Sequence, residues 1–180
     1  MDGRRFMKFV FPCKEYEKNA AEFIQEFKDY ASEMHGLGGL ADYLERSTYS
    51  DWLQKVIRDI DVANMPENRV PAITYFYVRE ADDKIVGMIN IRLALNDFLR
   101  KEGGHIGYSI RPTERGKGYG TSMLRGALQF CRSIGMENFL ITCDKVNVAS
   151  AGVAKNNGGI LEEEFYSETY KTVVQRYVIK

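Results

Sequence analysis

The run Arg115-Gly116-Lys117-Gly118-Tyr119-Gly120 is the part of this sequence best suited to bind a ligand. Glycines let the backbone adopt positive φ and let a ligand approach the main chain closely. The residues that follow have a helical pattern, and the start of a helix presents unpaired N–H groups and a positive dipole end. Arg115 and Lys117 add positive charge at the rim. The run therefore predicts a concave site for a phosphate or pyrophosphate. A glycine-rich turn without a ligand is the alternative.

The spacing of these glycines excludes two common phosphate-binding motifs. The dinucleotide fingerprint G-x-G-x-x-G requires glycine at the position of Thr121. The P-loop requires Gly-Lys followed by Ser or Thr, a tripeptide that the sequence lacks. A different phosphate-binding architecture is therefore expected.

Composition restricts the class of protein that carries this loop. The chain has 180 residues with 25 Lys plus Arg and 25 Asp plus Glu, so its formal net charge is zero. Proteins that bind nucleic acid non-specifically normally have a basic excess, and no apolar stretch approaches the roughly 20 residues that span a bilayer. The N-terminus lacks the apolar segment of a signal peptide. We expect a single globular domain over residues 1–180, located in the cytoplasm, without nucleic-acid or membrane partners.

The cysteines and histidines indicate neither a disulfide framework nor a metal site. Cys13, Cys131 and Cys143 are odd in number and widely spaced. A disulfide framework or a structural zinc site would need pairs of ligating residues at close spacing. With only His35 and His105 besides, we expect no metal.

The hydrophobic pattern predicts the elements that position the loop. The predicted order is strand 6–11, helix 15–34, a helix from Ser50, strands 72–79, 84–95 and 105–111, the glycine loop and its helix, strand 139–144, helix 148–157, and strands 160–166 and 172–179. Strands 105–111 and 139–144 flank the loop and its helix. This order is typical of a mixed sheet with helices packed on it.

Two segments in this order resemble the signature of the GNAT superfamily of acyl-CoA-dependent N-acetyltransferases. The first runs from Gly104 to Gly120, and its Arg115, Gly118 and Gly120 fill the fixed positions of the family motif Arg/Gln-x-x-Gly-x-Gly/Ala. The second is Asn147 after the next strand, with a short helix that ends in two glycines. The sequence is most similar to a bacterial group of these proteins. The resemblance implies an α/β (mixed α+β) GNAT-like fold, with a mostly antiparallel sheet, a splayed parallel strand pair and helices on both faces.

The resemblance also implies the ligand, acetyl-CoA, as donor of an acetyl group. The coenzyme would lie where strands 105–111 and 139–144 splay apart, with its pantetheine amides on the main chain near Ile110. Asn147 would hold the pantetheine or the acetyl carbonyl through its amide, and a turn cap is the alternative. The predicted cofactor-binding residues are Ile110, Arg115, Gly116, Lys117, Gly118, Tyr119, Gly120, Thr121 and Asn147.

Direct attack of an amine on the thioester requires a base, an oxyanion donor and a proton for the thiolate. Many family members carry a tyrosine acid on the helix after the Asn element, but Ala154 stands at the matching position here. His105 is the predicted base because an imidazole titrates near neutral pH, and Tyr108 and Tyr166 are candidate acids. A buried strand histidine and a packed core tyrosine are the alternatives for His105 and Tyr108. Strand alternation places these two on opposite faces unless a bulge intervenes.

The predicted function is transfer of an acetyl group from acetyl-CoA to a primary amine of a small molecule or peptide. Residues 1–70 would form the acceptor side, and residues 71–180 the coenzyme-binding core and C-terminal hairpin. The missing helix tyrosine leaves a non-catalytic acyl-CoA sensor or interaction module as the alternative. The strand edge of the hairpin could support a homodimer unless it is charged or covered.

Overall fold

Two antiparallel sheets organise the computed structural model of the chain, which describes residues 6–180. The strands are β1 (Met7–Val10), β2 (Ala72–Arg79), β3 (Lys84–Arg92), β4 (Ile106–Ile110), β5 (Phe139–Asp144), β6 (Ile160–Ser167) and β7 (Thr172–Ile179). The first sheet has the order β1-β2-β3-β4 and the second has the order β5-β7-β6. Residues 1–5, which bear on the signal-peptide argument, lie outside the described residues.

Helices cover both faces of the first sheet, as predicted. The helices are α1 (Glu17–Asp29), α2 (Leu40–Arg46), α3 (Tyr49–Arg58), α4 (Tyr119–Ser133) and α5 (Val148–Asn156), of which α5 packs against β5 and β7 of the second sheet. Phe76 of β2 packs with Phe27 and Trp52 from α1 and α3, whereas the next residue, Tyr77, packs with Met123 of α4 on the other face. This alternation follows from the two-residue repeat of a strand. Within residues 6–180, no helix has the length and apolar character needed to cross a bilayer.

The first helix ends earlier than its apolar spacing predicts. Helix α1 closes at Asp29 because Ala31 takes a left-handed conformation with φ of 46°. The N–H of Ala31 then donates to Lys28 C=O at 3.0 Å, and the N–H of Ser32 donates to Phe27 C=O at 2.9 Å. These two bonds form a Schellman motif, which satisfies the last carbonyls of the helix. The chain therefore leaves the helix at Ser32 and runs toward β4.

The helix predicted from Ser50 is confirmed as α3, but a second, shorter helix that was not predicted, α2, precedes it. Helix α3 begins at Tyr49 with Thr48 as its N-cap, and Thr48 and Asp51 form a capping box. The N–H of Asp51 donates to Thr48 Oγ1 at 3.1 Å, and the N–H of Thr48 donates to the Asp51 carboxylate at 3.2 Å. Helix α2 has only seven residues, too few for its apolar spacing to be recognised.

Strands β4 and β5 lie beside each other without forming a ladder. They meet at one end, where the N–H of His105 donates to Leu140 C=O at 2.7 Å and the N–H of Leu140 donates to His105 Nδ1 at 2.9 Å. The ring of His105 also packs edge-on against Phe139, with 6.0 Å between centroids. We call this contact the His105–Leu140 clasp. Beyond it the two strands form the splayed pair that the family resemblance implies.

The chain that follows α1 crosses β4 in direct backbone contact. The Ser109 hydroxyl donates to His35 C=O at 2.6 Å and accepts from the N–H of His35 at 2.9 Å. Gly36 lies so close to β4 that a Cβ there would be 2.1 Å from the carbonyl carbon of Gly107. These contacts hold the N-terminal helices against the middle of β4.

The second sheet ends on β6, the edge strand of the C-terminal hairpin. Residues 160–164 are exposed, and Arg176 forms ion pairs with Glu162 at 2.8 Å and with Glu163 at 2.7 Å. Charged side chains on an edge strand oppose pairing with another chain. The homodimer therefore stays a prediction, without support from this edge.

We expect Gly36→Ala to destabilise the protein more than Gly135→Ala. Both glycines have positive φ, 64° and 85°, so both variants carry a similar backbone penalty of roughly 1–2 kcal/mol. Only the Gly36 variant places a methyl group against β4, since the Gly135 Cβ would meet nothing within 4 Å. The overlap should remove a further ~1–3 kcal/mol from the free energy of unfolding. Urea unfolding followed by the fluorescence of Trp52 measures both, and equal losses would contradict the close contact.

Replacing His105 should change the pH dependence of stability. Burial lowers the pKa of His105 below 6.5, and its Nδ1 must be unprotonated to accept from Leu140. The unfolded chain therefore takes up this proton at higher pH than the folded protein does. The stabilisation is complete above about pH 6.5 and decreases as the pH falls below that value.

The matched variant is His105→Asn, whose amide oxygen can accept the same hydrogen bond but does not titrate. We expect its free energy of unfolding to fall less than that of the wild type between about pH 7 and pH 5. His35 is present in both proteins, so the difference between the two pH profiles reports on His105. Parallel profiles would exclude the clasp as the source of pH dependence.

Candidate active site

The glycine loop forms an open, concave turn at the start of α4. Gly116 and Gly118 have φ of 74° and 81°, and a Cβ at either position would meet no atom within 4 Å. The N–H of Ser122 donates to Gly118 C=O at 3.1 Å, so the N–H groups of Gly120 and Thr121 precede the helical bonds. The first turn of α4 carries no acidic side chain. This geometry suits an anion.

The two cations predicted at the rim are engaged with neighbouring groups. The Nε of Arg115 donates to Ile110 C=O at 3.1 Å, and its Nη2 donates to the Ser32 hydroxyl at 2.7 Å. The Nζ of Lys117 lies 2.9 Å from the Glu114 carboxylate. The side chains of Arg115 and Lys117 therefore lie beside the concave turn and are held by protein groups. A bound phosphate would therefore depend mainly on main-chain N–H groups and the helix dipole.

Contacts with α5 fix the start of α4. The side chain of Tyr119 is buried in the core, so only its main chain borders the loop. Gly120 lies against Val153, which would be 3.0 Å from a Cβ at this position. The Asn157 amide donates to Thr121 C=O at 3.2 Å. The loop is thus held by both helices while its concave side stays open.

Main-chain groups of β4 line the gap between the two sheets. The N–H of Arg111 donates to Val86 C=O at 2.8 Å, and hydrogen-bonding direction alternates along an antiparallel strand. The main-chain groups of Ile106, Tyr108 and Ile110 therefore face the gap. An extended ligand with amide groups can pair with them as an added strand.

Two hydroxyl groups meet across this gap, one from β4 and one from α5. The Oη of Tyr108 lies 3.0 Å from Ser150 Oγ. Burial raises the pKa of Tyr108 to about 12, and burial also raises the pKa of the neighbouring Cys143 thiol. The phenol is therefore protonated at neutral pH and can donate a proton or a hydrogen bond. Of the predicted candidate acids, Tyr108 lies at the gap, whereas Tyr166 is an exposed residue of the edge strand β6.

Asn147 is the N-cap of α5. Its Oδ1 accepts from the N–H of Ser150 at 3.0 Å, which is the turn-cap role considered as the alternative. The same bond positions Ser150 opposite Tyr108. Sequence reasoning missed Ser150, although its three-residue distance from an Asn cap was a usable signal because this spacing is that of the N3 position.

His105 is held in the clasp. Because Nδ1 accepts from Leu140, the proton of the neutral ring lies on Nε2. Burial lowers the pKa of the ring, and the nearby charges of Arg100 and Arg92 lower it further. Nδ1, the only basic nitrogen of the neutral ring, thus already accepts a hydrogen bond from Leu140. This geometry favours the satisfied strand histidine over the predicted general base.

Thiols and metal-binding side chains form no second centre in the described part of the chain. Cys13, Cys131 and Cys143 are free thiols. Between residues 6 and 180, no three His, Cys, Asp or Glu side chains lie close enough to share a metal ion.

Solved structures with this fold include several acetyltransferases. The ribosomal L7/L12 alpha-N-protein acetyltransferase RimL, in complex with coenzyme A, is 17% identical with a TM-score of 0.68, covering 96% of this chain and 92% of the other. The microcin C7 self-immunity acetyltransferase MccE, in complex with acetyl-CoA and AMP, is 21% identical with a TM-score of 0.66, covering 96% and 91%. A chimera of spermidine N-acetyltransferase SpeG from Vibrio cholerae and hSSAT is 13% identical with a TM-score of 0.65, covering 96% and 94%. These likenesses confirm the predicted fold.

Sequence comparison identifies the family. A search of curated proteins found no match. The family model described as "Acetyltransferase (GNAT) domain" matches residues 5–160, a range that contains the glycine loop, the gap and the Asn147 cap. The predicted family and the predicted class of enzyme, an acetyltransferase, are confirmed. The protein belongs to the GNAT acetyltransferase family.

Proposed function

We propose that the protein transfers the acetyl group of acetyl-CoA to a primary amine. The observation that carries this proposal is the continuity between the splayed β4–β5 gap and the open glycine loop. The gap offers main-chain groups of Ile106 and Tyr108 and the N–H of Ile110 to the amides of pantetheine, since Ile110 C=O accepts from Arg115. The loop offers helix N–H groups to the pyrophosphate. Relatives of the same fold in complex with coenzyme A or acetyl-CoA support the assignment.

The residues around the gap can serve direct transfer without a covalent enzyme intermediate. The amine nitrogen attacks the thioester carbonyl, and a gap-facing N–H of β4 stabilises the oxyanion. The bond from carbon to sulfur then breaks, and Tyr108, backed by Ser150, donates a proton to the leaving sulfur. Because His105 is engaged in the clasp, we assign it a positioning role and assign removal of the ammonium proton to water.

The hydroxyl pair also bears on the alternative of a non-catalytic acyl-CoA-binding module. That alternative rests on Ala154, which occupies the position of the family's helix tyrosine. In this protein the Tyr108 side chain extends from β4 and places its phenol against Ser150, in the first turn of the helix that contains Ala154. A proton donor is thus present at the gap, which favours the enzyme.

The identity of the amine is a separate question from the chemistry. Among the similar structures, one is named for the alpha-amine of ribosomal protein L7/L12 and another for spermidine. The same fold therefore serves acceptors of different chemistry, and acceptor choice depends on the local site. We propose a small-molecule or peptide amine here.

Gly118→Val should abolish binding of acetyl-CoA, whereas Gly135→Val should not. Both glycines have positive φ, 81° and 85°, and neither Cβ would meet protein atoms within 4 Å. The two variants therefore carry the same backbone strain at opposite ends of α4, and only Gly118 lines the loop. Titration calorimetry with acetyl-CoA, with NADH as the negative control, measures the loss. Normal binding by a folded Gly118→Val protein would exclude the loop as the pyrophosphate site.

Tyr108→Phe should lower kcat about 10- to 100-fold and leave the KM for acetyl-CoA unchanged. The substitution removes only the hydroxyl that faces Ser150, so binding of the coenzyme should persist. Tyr77→Phe is the matched control, since it also removes one phenol hydroxyl, which bonds to Ser122 of α4 at 3.0 Å. Release of free thiol from acetyl-CoA in the presence of an amine panel measures kcat. If both variants retain wild-type kcat, Tyr108 is not the acid.

A further inference from the structure

A cavity of about 240 Å³ lies on the face of the first sheet opposite α4 and α5. Its polar lining comes from the end of α3, from β3 and from the segments that flank them: Lys55, Asp59, Arg69, Asn90, Arg92 and Asn96. The mechanism proposed above uses none of these residues. The cavity is small, and its walls carry more polar and charged groups than a core pocket would.

Arg92 is the least compensated charge in this lining. Its Nη1 donates to Gly103 C=O at 2.6 Å and to Gly104 C=O at 2.9 Å. Among the described residues, Nε and Nη2 have no hydrogen-bond partner and the guanidinium has no carboxylate within ion-pair distance. Burial lowers the pKa of Arg92 below its ordinary value, although Tyr170 acts in the opposite direction. A half-buried cation without a counterion is costly to maintain.

The unbonded nitrogens of Arg92 form one edge of the guanidinium fork. Every fully buried side-chain nitrogen or oxygen in the described residues has a hydrogen-bond partner, so these two nitrogens retain access to open space. A carboxylate or phosphate pairs with such an edge through two parallel N–H···O bonds. Nε and Nη2 of Arg92 can therefore bind an oxyanion.

The charges around Arg92 reinforce this preference. Lys55 forms an ion pair with Asp59, and Arg69 lies 3.7 Å from the same carboxylate. The lining thus holds three cations (Lys55, Arg69 and Arg92) and one carboxylate, which is paired with the first two, so two positive charges are left in excess. Such a cavity attracts anions and repels polyamines.

Arg92 also lies close to the gap where acetyl transfer would occur. Its Nη2 would be 3.7 Å from a Cβ on Gly107, in the middle of β4. The main-chain N–H of Arg92 donates to His105 C=O at 2.8 Å, next to the clasp. A group held by Arg92 would therefore lie beside the middle of β4, the strand that borders the gap.

We propose that this cavity is an anion subsite for the acceptor, so that the substrate is a primary amine carrying a carboxylate or phosphate that Arg92 binds. The inference rests on the proposed acetyl-transfer function and names the substrate class of that site. It assigns Arg92 to substrate binding, separate from the glycine loop.

The test compares matched amines in thiol-release assays with acetyl-CoA. The pairs are alanine with alaninamide, phosphoethanolamine with ethanolamine, and peptides that begin Ala-Asp with those that begin Ala-Asn; spermidine is the polycationic member. We expect wild-type kcat/KM to be about tenfold or more higher for the anionic member of at least one pair, and spermidine to be the poorest acceptor. The pair with the largest ratio distinguishes a free carboxylate, a phosphate and an acidic peptide.

Arg92→Gln should abolish that preference by raising KM for the anionic amine far more than KM for its neutral partner, so that the ratio of their kcat/KM values falls to about 1. Arg92→Lys keeps the charge but loses the fork, so it should retain only part of the preference. Arg125→Gln, an exposed position on α4, is the matched control and should behave as wild type. Calorimetry with acetyl-CoA and a thermal unfolding curve show whether each variant remains folded and binds the donor.

The outcomes separate the two proposals. Equal use of both members of every pair by the wild type overturns the anion subsite alone, as does an unchanged preference in a folded Arg92→Gln protein. If the wild type neither binds acetyl-CoA nor releases thiol with any amine, the proposed function fails and the anion subsite fails with it.

Discussion

The site depends on a strand pair that is joined at one end and open at the other. The His105–Leu140 clasp supplies two hydrogen bonds between β4 and β5, and no ladder continues beyond it. Main-chain groups deprived of a partner must meet water or a ligand, because leaving them buried and unpaired costs about 1–3 kcal/mol each. In the proposed function, the gap is therefore a binding surface made from main-chain groups and closed at one end by the clasp. A histidine suits this position because Nδ1 accepts a main-chain N–H while the ring packs on Phe139.

Strand β4 links the two halves of the proposed reaction. One end leads into the glycine loop and α4, where the phosphates would bind. Its middle is covered by His35 and Gly36, which hold the N-terminal helices and the cavity wall in place. The proposed donor and acceptor sites thus both border the same five-residue strand. A displacement of β4 would therefore disturb both proposed sites together.

The sequence was informative wherever short-range patterns decide the structure. The bounds of β2, β5 and β7 follow from runs of apolar and β-branched residues, and the glycine loop follows from spacing. Short-range patterns could not reveal that Arg115 turns toward Ile110 and Lys117 toward Glu114. Arg92 carried no signal at all, since its missing counterion is a property of its surroundings in the folded chain. For the same reason, His105 in isolation resembled a base.

Packing around α5 gives a physical reason for the position of the proposed acid. Ala154 is fully buried, and the chain turns back so tightly after the helix that a Cβ on Gly159 would be 2.7 Å from the Ala154 carbonyl. A tyrosine at Ala154 would overfill this space at a cost of about 1–3 kcal/mol or more. A hydroxyl group can reach the gap without that cost if its side chain comes from β4 instead of α5. Tyr108 does so from β4, and the Asn147 cap orients Ser150 to receive it. In the proposed mechanism, Tyr108 thus takes the role of the family's usual helix tyrosine.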